Sequence, residues 1–111
     1  MAGLDPLLQH PTRLTVLAFL GGCIEAEFSA VRDYCQVSDS VLSKAASALE
    51  EAGHLSVKKG YVGKRPRTWL AATRSGRRAL ADHLGVLQQL AAAAEAAGRE
   101  TGSREAGSRQ P

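Results

Sequence analysis

The sequence predicts a mainly α fold with one small β-hairpin. Three observations predict it. Four separate stretches read as helices from their apolar residues, caps and stops, the pattern switches to strand-like alternation only between Leu55 and Ala72, and two glycines and a proline break that switch in its middle. The elements follow in order.

His10-Pro11-Thr12-Arg13 opens the first helix, with Pro11 in the first turn, where a missing N–H costs nothing. Leu14, Val16, Leu17, Ala18, Phe19 and Leu20 continue it, and Gly21-Gly22 stop it. A helix apolar on nearly every side belongs at the centre of a small fold. Ile24 to Phe28 reads as an extended link, and Ser29 is placed to cap a second, short helix through Cys35. After a turn at Gln36-Val37, Ser38 is placed to cap a third helix, with Asp39 at the positive end of its dipole and Gly53 as its stop. Leu42, Ala45 or Ala46, and Leu49 form its apolar stripe, and the opposite face carries Ser40, Ser43, Lys44 and Ser47.

Two antiparallel strands are predicted at roughly 55–61 and 67–72, joined by a basic loop. Trp69, a single indole on a strand, is expected in the core. Thr73 caps the last helix, along which Leu80, Leu84, Leu87, Leu90 or Ala91, and Ala94 share a face, and Gly98 is expected to end it. The stretch from Arg99 to Pro111 has no large apolar residue and is expected to be disordered. The expectation is thus one α+β domain at 4–97 and a tail at 98–111. Helix, short helix, turn, helix, hairpin and long helix, in that order, make a winged helix-turn-helix.

Charge is distributed unevenly. From Ala52 to Ala81 there are eight basic residues (Lys58, Lys59, Lys64, Arg65, Arg67, Arg74, Arg77, Arg78) and no acidic one, although the whole chain of 111 residues has 14 Lys+Arg against 11 Asp+Glu. A concentrated positive field on an otherwise acidic chain points to a polyanion, nucleic acid first. Lys58 and Lys59 adjoin each other in a strand pattern, so they point to opposite faces.

Other classes find little support. No Gly-x-Ser-x-Gly nucleophile elbow, no phosphate-cradling GxxxxGK[ST] and no paired carboxylates on a cleft-lining element are present, so no catalytic residue is expected. Cys23 and Cys35 lie 12 residues apart without a CxxC, and His10, His54 and His83 do not cluster with them. They read as reduced, buried or half-buried thiols, with a redox-sensing pair as the alternative and neither a metal nor a cofactor expected. No run long enough for a transmembrane helix occurs, and the N-terminus lacks the basic and apolar regions of a secretory signal, so a cytoplasmic location is expected.

Three segments carry a family resemblance. Val37-Ser38-Asp39-Ser40-Val41-Leu42-Ser43-Lys44, with Leu49-Glu50-Glu51-Ala52-Gly53-His54-Leu55, resembles the recognition helix of small bacterial winged-helix regulators of the MarR-like group. Leu4-Asp5-Pro6 with His10-Pro11-Thr12-Arg13-Leu14 resembles that group's first helix, and Leu70-Ala71-Ala72-Thr73-Arg74-Ser75-Gly76-Arg77-Arg78-Ala79-Leu80 its strand-to-last-helix junction. The similarity covers about residues 4 to 92.

The resemblance implies a homodimer on operator DNA. Ser38, Ser40, Ser43, Lys44 and Ser47 of a recognition helix at about 38–52 would face the major groove, and Lys64, Arg65 and Arg67 would occupy a wing at about 59–67, on backbone or minor groove. A dimer seam is expected from Leu4, Leu7 and Leu8 together with Leu84, Leu87 and Leu90 of the last helix. The expected function is sequence-specific binding of double-stranded DNA as a transcriptional repressor. A protein-interaction winged helix remains the alternative. A small-molecule effector stays open but is not indicated, because no distinct sensor domain is evident, and it would have to bind at the dimer seam.

Overall fold

The structure is a computed structural model that describes the backbone of residues 4–109 and the side chains of residues 4–102. The winged helix-turn-helix order is present. After a 3-10 turn at Pro6–Gln9 come α1 (Pro11–Gly21), β1 (Ala26–Glu27), α2 (Phe28–Cys35), α3 (Asp39–Glu51), β2 (Leu55–Val62), β3 (Arg65–Ala72) and α4 (Arg74–Arg109). The strands form one antiparallel sheet in the order β1-β3-β2.

The core is built where the apolar stripes meet. Val16, Leu17 and Leu20 of α1, Val31 of α2, Leu42, Ala46 and Leu49 of α3, Leu55 of β2 and Leu70 of β3 are buried in one cluster with Leu8. Fully burying a side chain of this kind stabilises a fold by about 1.5–3 kcal/mol. Phe19, on the rim of α1, stacks on Tyr34 of α2 with ring centroids 4.6 Å apart.

Local chemistry sets the boundaries that matter here. The Ser38 Oγ accepts from Val41 N at 3.1 Å, capping α3 as expected. The other end of α3 closes in a Schellman pattern, with His54 N donating to Leu49 O and Gly53 N to Glu50 O, both at 2.9 Å, while Gly53 takes the left-handed φ of 81° that the motif requires. Thr73 then joins three elements. Its hydroxyl donates to Gly53 O at 2.6 Å and accepts from Gly76 N at 3.0 Å, and its own N–H donates to His54 O at 3.1 Å. The end of α3, the end of the hairpin and the start of α4 are therefore locked together.

Several expectations need correction. The extended link contains β1, whose Ala26 and Glu27 pair with Leu70 and Trp69. Helix α2 begins at Phe28 with Glu27 at its N-cap and no side-chain cap bond, so Ser29 lies inside it. Val62 pairs with Arg65, so the hairpin ends in a two-residue turn of Gly63 and Lys64. Gly63, at φ 64°, supplies the positive φ such turns need.

Helix α4 does not stop at Gly98 but continues to Arg109. A solvent-exposed glycine costs a helix only about 1 kcal/mol, and the preceding alanines favour continuation. The stretch 98–109 is thus helix rather than disordered tail, and residues 110–111 lie outside the described residues. Leu8, expected at a dimer seam, is wholly buried within its own chain and offers nothing to a partner.

Candidate nucleic-acid interface

Helix α3 divides cleanly into two faces. Leu42, Ala45, Ala46 and Leu49 enter the core, which turns Ser40, Ser43, Lys44 and Ser47 outward, all exposed. Ser38 is also exposed, but its hydroxyl serves the helix as cap. The outward face is small and carries no carboxylate until Glu50 and Glu51. Asp39, in the first turn, is held by the Arg32 guanidinium at 2.9 Å. Arg32 also meets Asp33 at 3.1 Å, and its hydrogen bonds to Asp39 and Asp33 raise its pKa above the ordinary guanidinium value.

The strand alternation of the hairpin sorts the basic residues. Val57, Lys59, Thr68 and Leu70 lie on the face toward α3, while Lys58, Gly60, Arg67 and Trp69 lie on the other. A groove therefore runs between α3 and the hairpin, lined by Ser43, Ser47 and Glu50 on one wall and by Lys59 and Thr68 on the other. On the far face Trp69 is half-buried rather than in the core. A Cβ at Gly60 would lie 3.1 Å from its ring, and the Lys58 Nζ sits 5.9 Å from its centroid, within reach of a cation–π interaction.

A projecting helix whose outward face carries hydroxyls and one lysine, beside a hairpin that turns a second lysine toward it, suits contact with a duplex. The sequence agrees, since residues 12–91 match the profile of a family described as the winged helix DNA-binding domain. The chain belongs to that family.

Solved structures that share the fold include transcriptional regulators. This winged-helix protein is similar to the transcriptional regulator homologue protein from Pyrococcus horikoshii OT3, with a TM-score of 0.73 and 25% identity over 78% of this chain and 86% of that one. It shares its fold with NadR, solved in complex with 4-hydroxyphenylacetate, at a TM-score of 0.63 and 21% identity over 86% and 71% of the two chains. It also shares it with ZitR of Lactococcus lactis, a zinc-responsive MarR family member, at a TM-score of 0.55 and 15% identity over 80% and 60%. No curated protein sequence matches the chain. No helix among the described residues is long and apolar enough to cross a membrane, and no group of three or more His, Cys, Asp and Glu among them could hold a metal ion.

The wing of this winged-helix domain is not the uniform basic loop that the sequence suggests. Lys64 lies in the turn at its tip, Arg65 and Arg67 lie on β3, and the Arg67 Nε is 3.6 Å from Glu27 Oε1. Arg77 is engaged elsewhere, donating to Gly21 O at 2.7 Å and Cys23 O at 3.1 Å, where it satisfies carbonyls at and just beyond the end of α1. Arg74 and Arg78 follow the base of the hairpin, about 25 Å along the strands from Lys64. The residue absent from the expected site is Lys59, which shares the groove with Ser43 and Ser47. Its signal was the strand alternation, which assigned it and Lys58 to opposite faces but left open which face looked at α3.

Proposed function

We propose that the protein is a sequence-specific transcriptional regulator, a repressor that occludes its site, with α3 in the major groove and the hairpin on the adjoining backbone or minor groove. The observation that carries this is the exposed Ser40, Ser43, Lys44 and Ser47 face of α3 beside Lys59. A major groove about 12 Å wide admits one helix, and small hydroxyl side chains let it approach the base edges closely. Lys44, Lys59, Lys64 and Arg65 would meet phosphates, as would Arg67 once Glu27 releases it. The serines would supply base contacts.

The protein acts as a homodimer in this reading. Leu84 and Leu90 on α4 are 40% and 38% exposed, on a helix that outruns the domain, and Leu87 is half-buried beside them. Leu4 and Leu7, half-buried in the N-terminal segment, complete the expected seam. A twofold dimer reads two half-sites of opposite orientation. Selection of bound fragments from sheared genomic DNA tests this, and an enriched inverted repeat is expected. Enrichment of no common sequence would overturn the specific reading.

A further inference from the structure

The recognition helix has a second flank. On the side of α3 away from the hairpin, a hollow opens against the start of α1, lined by His10, Arg13, Val41, Lys44 and Ala45. Every polar side chain around it is a base, and no carboxylate lines it. Among the described residues, neither Arg13 nor Lys44 has a carboxylate within 4 Å. His10 is the N-cap residue of α1, yet its side chain makes no cap hydrogen bond, so the ring is not committed to the helix. Between the bases lies Val41, 42% exposed. Basic residues from two elements thus line one open hollow with no carboxylate among its lining residues.

We propose that His10, Arg13 and Lys44 bind one phosphodiester of the DNA backbone, on the strand that passes the opposite side of α3 from the hairpin. The proposal rests on the DNA-binding reading above and adds a site to it. A helix about 10–12 Å across fills the major groove, so a phosphate backbone runs along each of its sides. The hairpin meets one of them. On the other side the hollow offers a guanidinium, which can bond two phosphate oxygens at once, and an ammonium as a point charge. With both flanks held, α3 is fixed in depth and register, which the short serines require to reach base edges.

The test is a salt series of binding to a fluorescein-labelled duplex of random sequence, read by anisotropy. Each phosphate contact contributes about 0.9 to the slope of log affinity against log salt. Arg13→Gln is expected to lower that slope by up to about 0.9 and to weaken binding equally on any sequence, with Arg13→Lys retaining the slope. Lys44→Gln, whose phosphate contact the DNA reading already expects, is the positive reference from α3, and Lys58→Ala, on the far face of the hairpin, is the unchanged control. Thermal melts of each variant establish that the fold is retained. Wild-type slope in Arg13→Gln, with salt-dependent wild-type binding, would overturn the hollow and leave the DNA reading standing. Absence of wild-type binding at low salt would overturn both.

Discussion

Arg32 holds the Asp39 carboxylate at 2.9 Å and so ties the last turn of α2 to the first turn of α3. The pair bridges the two helices and keeps a negative charge engaged where phosphates would pass. Arg32→Ala is therefore expected to weaken duplex binding about two- to five-fold at low salt, the scale of an exposed ion pair. Adding Asp39→Ala should recover most of the loss. Anisotropy titrations of the single and double variants check this. An unrecovered double variant would show that the bridge matters more than the charge.

Lys58 and Lys59 are neighbours in sequence with opposite prospects. Lys59 faces the α3 groove, and Lys58 lies over Trp69. Lys59→Ala should lower the salt slope of DNA binding by about 0.9, and Lys58→Ala should leave it unchanged. Equal effects from the two substitutions would contradict the assigned register of the wing.

Gly76 has no space for a side chain, because the carbonyl oxygen of His54 occupies the position a Cβ would need. Gly76→Ala gains up to about 1 kcal/mol of helix propensity. Against that stands overpacking on backbone that Thr73 and Gly53 hold in place, which costs typically 1–3 kcal/mol and more where nothing yields. The expected outcome is net destabilisation in urea unfolding. A stabilised variant would mean that α4 can shift away from the α3–β2 turn.

Much of this architecture was legible because its signals are local. The serine cap of α3, the glycine that closes it and the threonine that starts α4 each act within a few residues, and the stripe of Leu42, Ala45, Ala46 and Leu49 repeats at helical spacing. What stayed hidden depends on distant partners. Strand β1 has only two residues, too few to show alternation, and exists through pairing with Leu70 and Trp69. Leu8 carries the same apolar signature whether it meets its own core or a second chain, and the fold decides for the core. Trp69 fell on the outer face because Leu70, its neighbour, took the inner one. The helix beyond Gly98 was hidden for another reason, since an exposed glycine is a weak stop.

Leu8 and Leu90 should behave differently. Leu8→Ala removes fully buried surface and is expected to cost about 2–5 kcal/mol of chain stability. Leu90→Glu, on exposed α4, should change intrinsic stability by no more than about 0.5 kcal/mol while shifting the protein toward monomer in sedimentation. A monomeric wild type would contradict the proposed dimer.

Burial pushes the Cys35 thiol above its ordinary pKa, so less thiolate is present at neutral pH than for a free cysteine. Iodoacetamide should therefore modify Cys35 more slowly than free cysteine, with a pH–rate inflection displaced upward. Fast modification at neutral pH would reopen a redox role for this residue.

The central claim is that the serine face of α3 reads sequence while basic side chains on its flanks hold phosphates. Anisotropy titration of one selected duplex and its scrambled counterpart over a salt series tests it most directly. Both affinities are expected to fall linearly on logarithmic axes with several phosphates' worth of slope, and the selected duplex to bind more tightly at every salt concentration. Equal affinity for the two duplexes, or binding that ignores salt, would contradict the account.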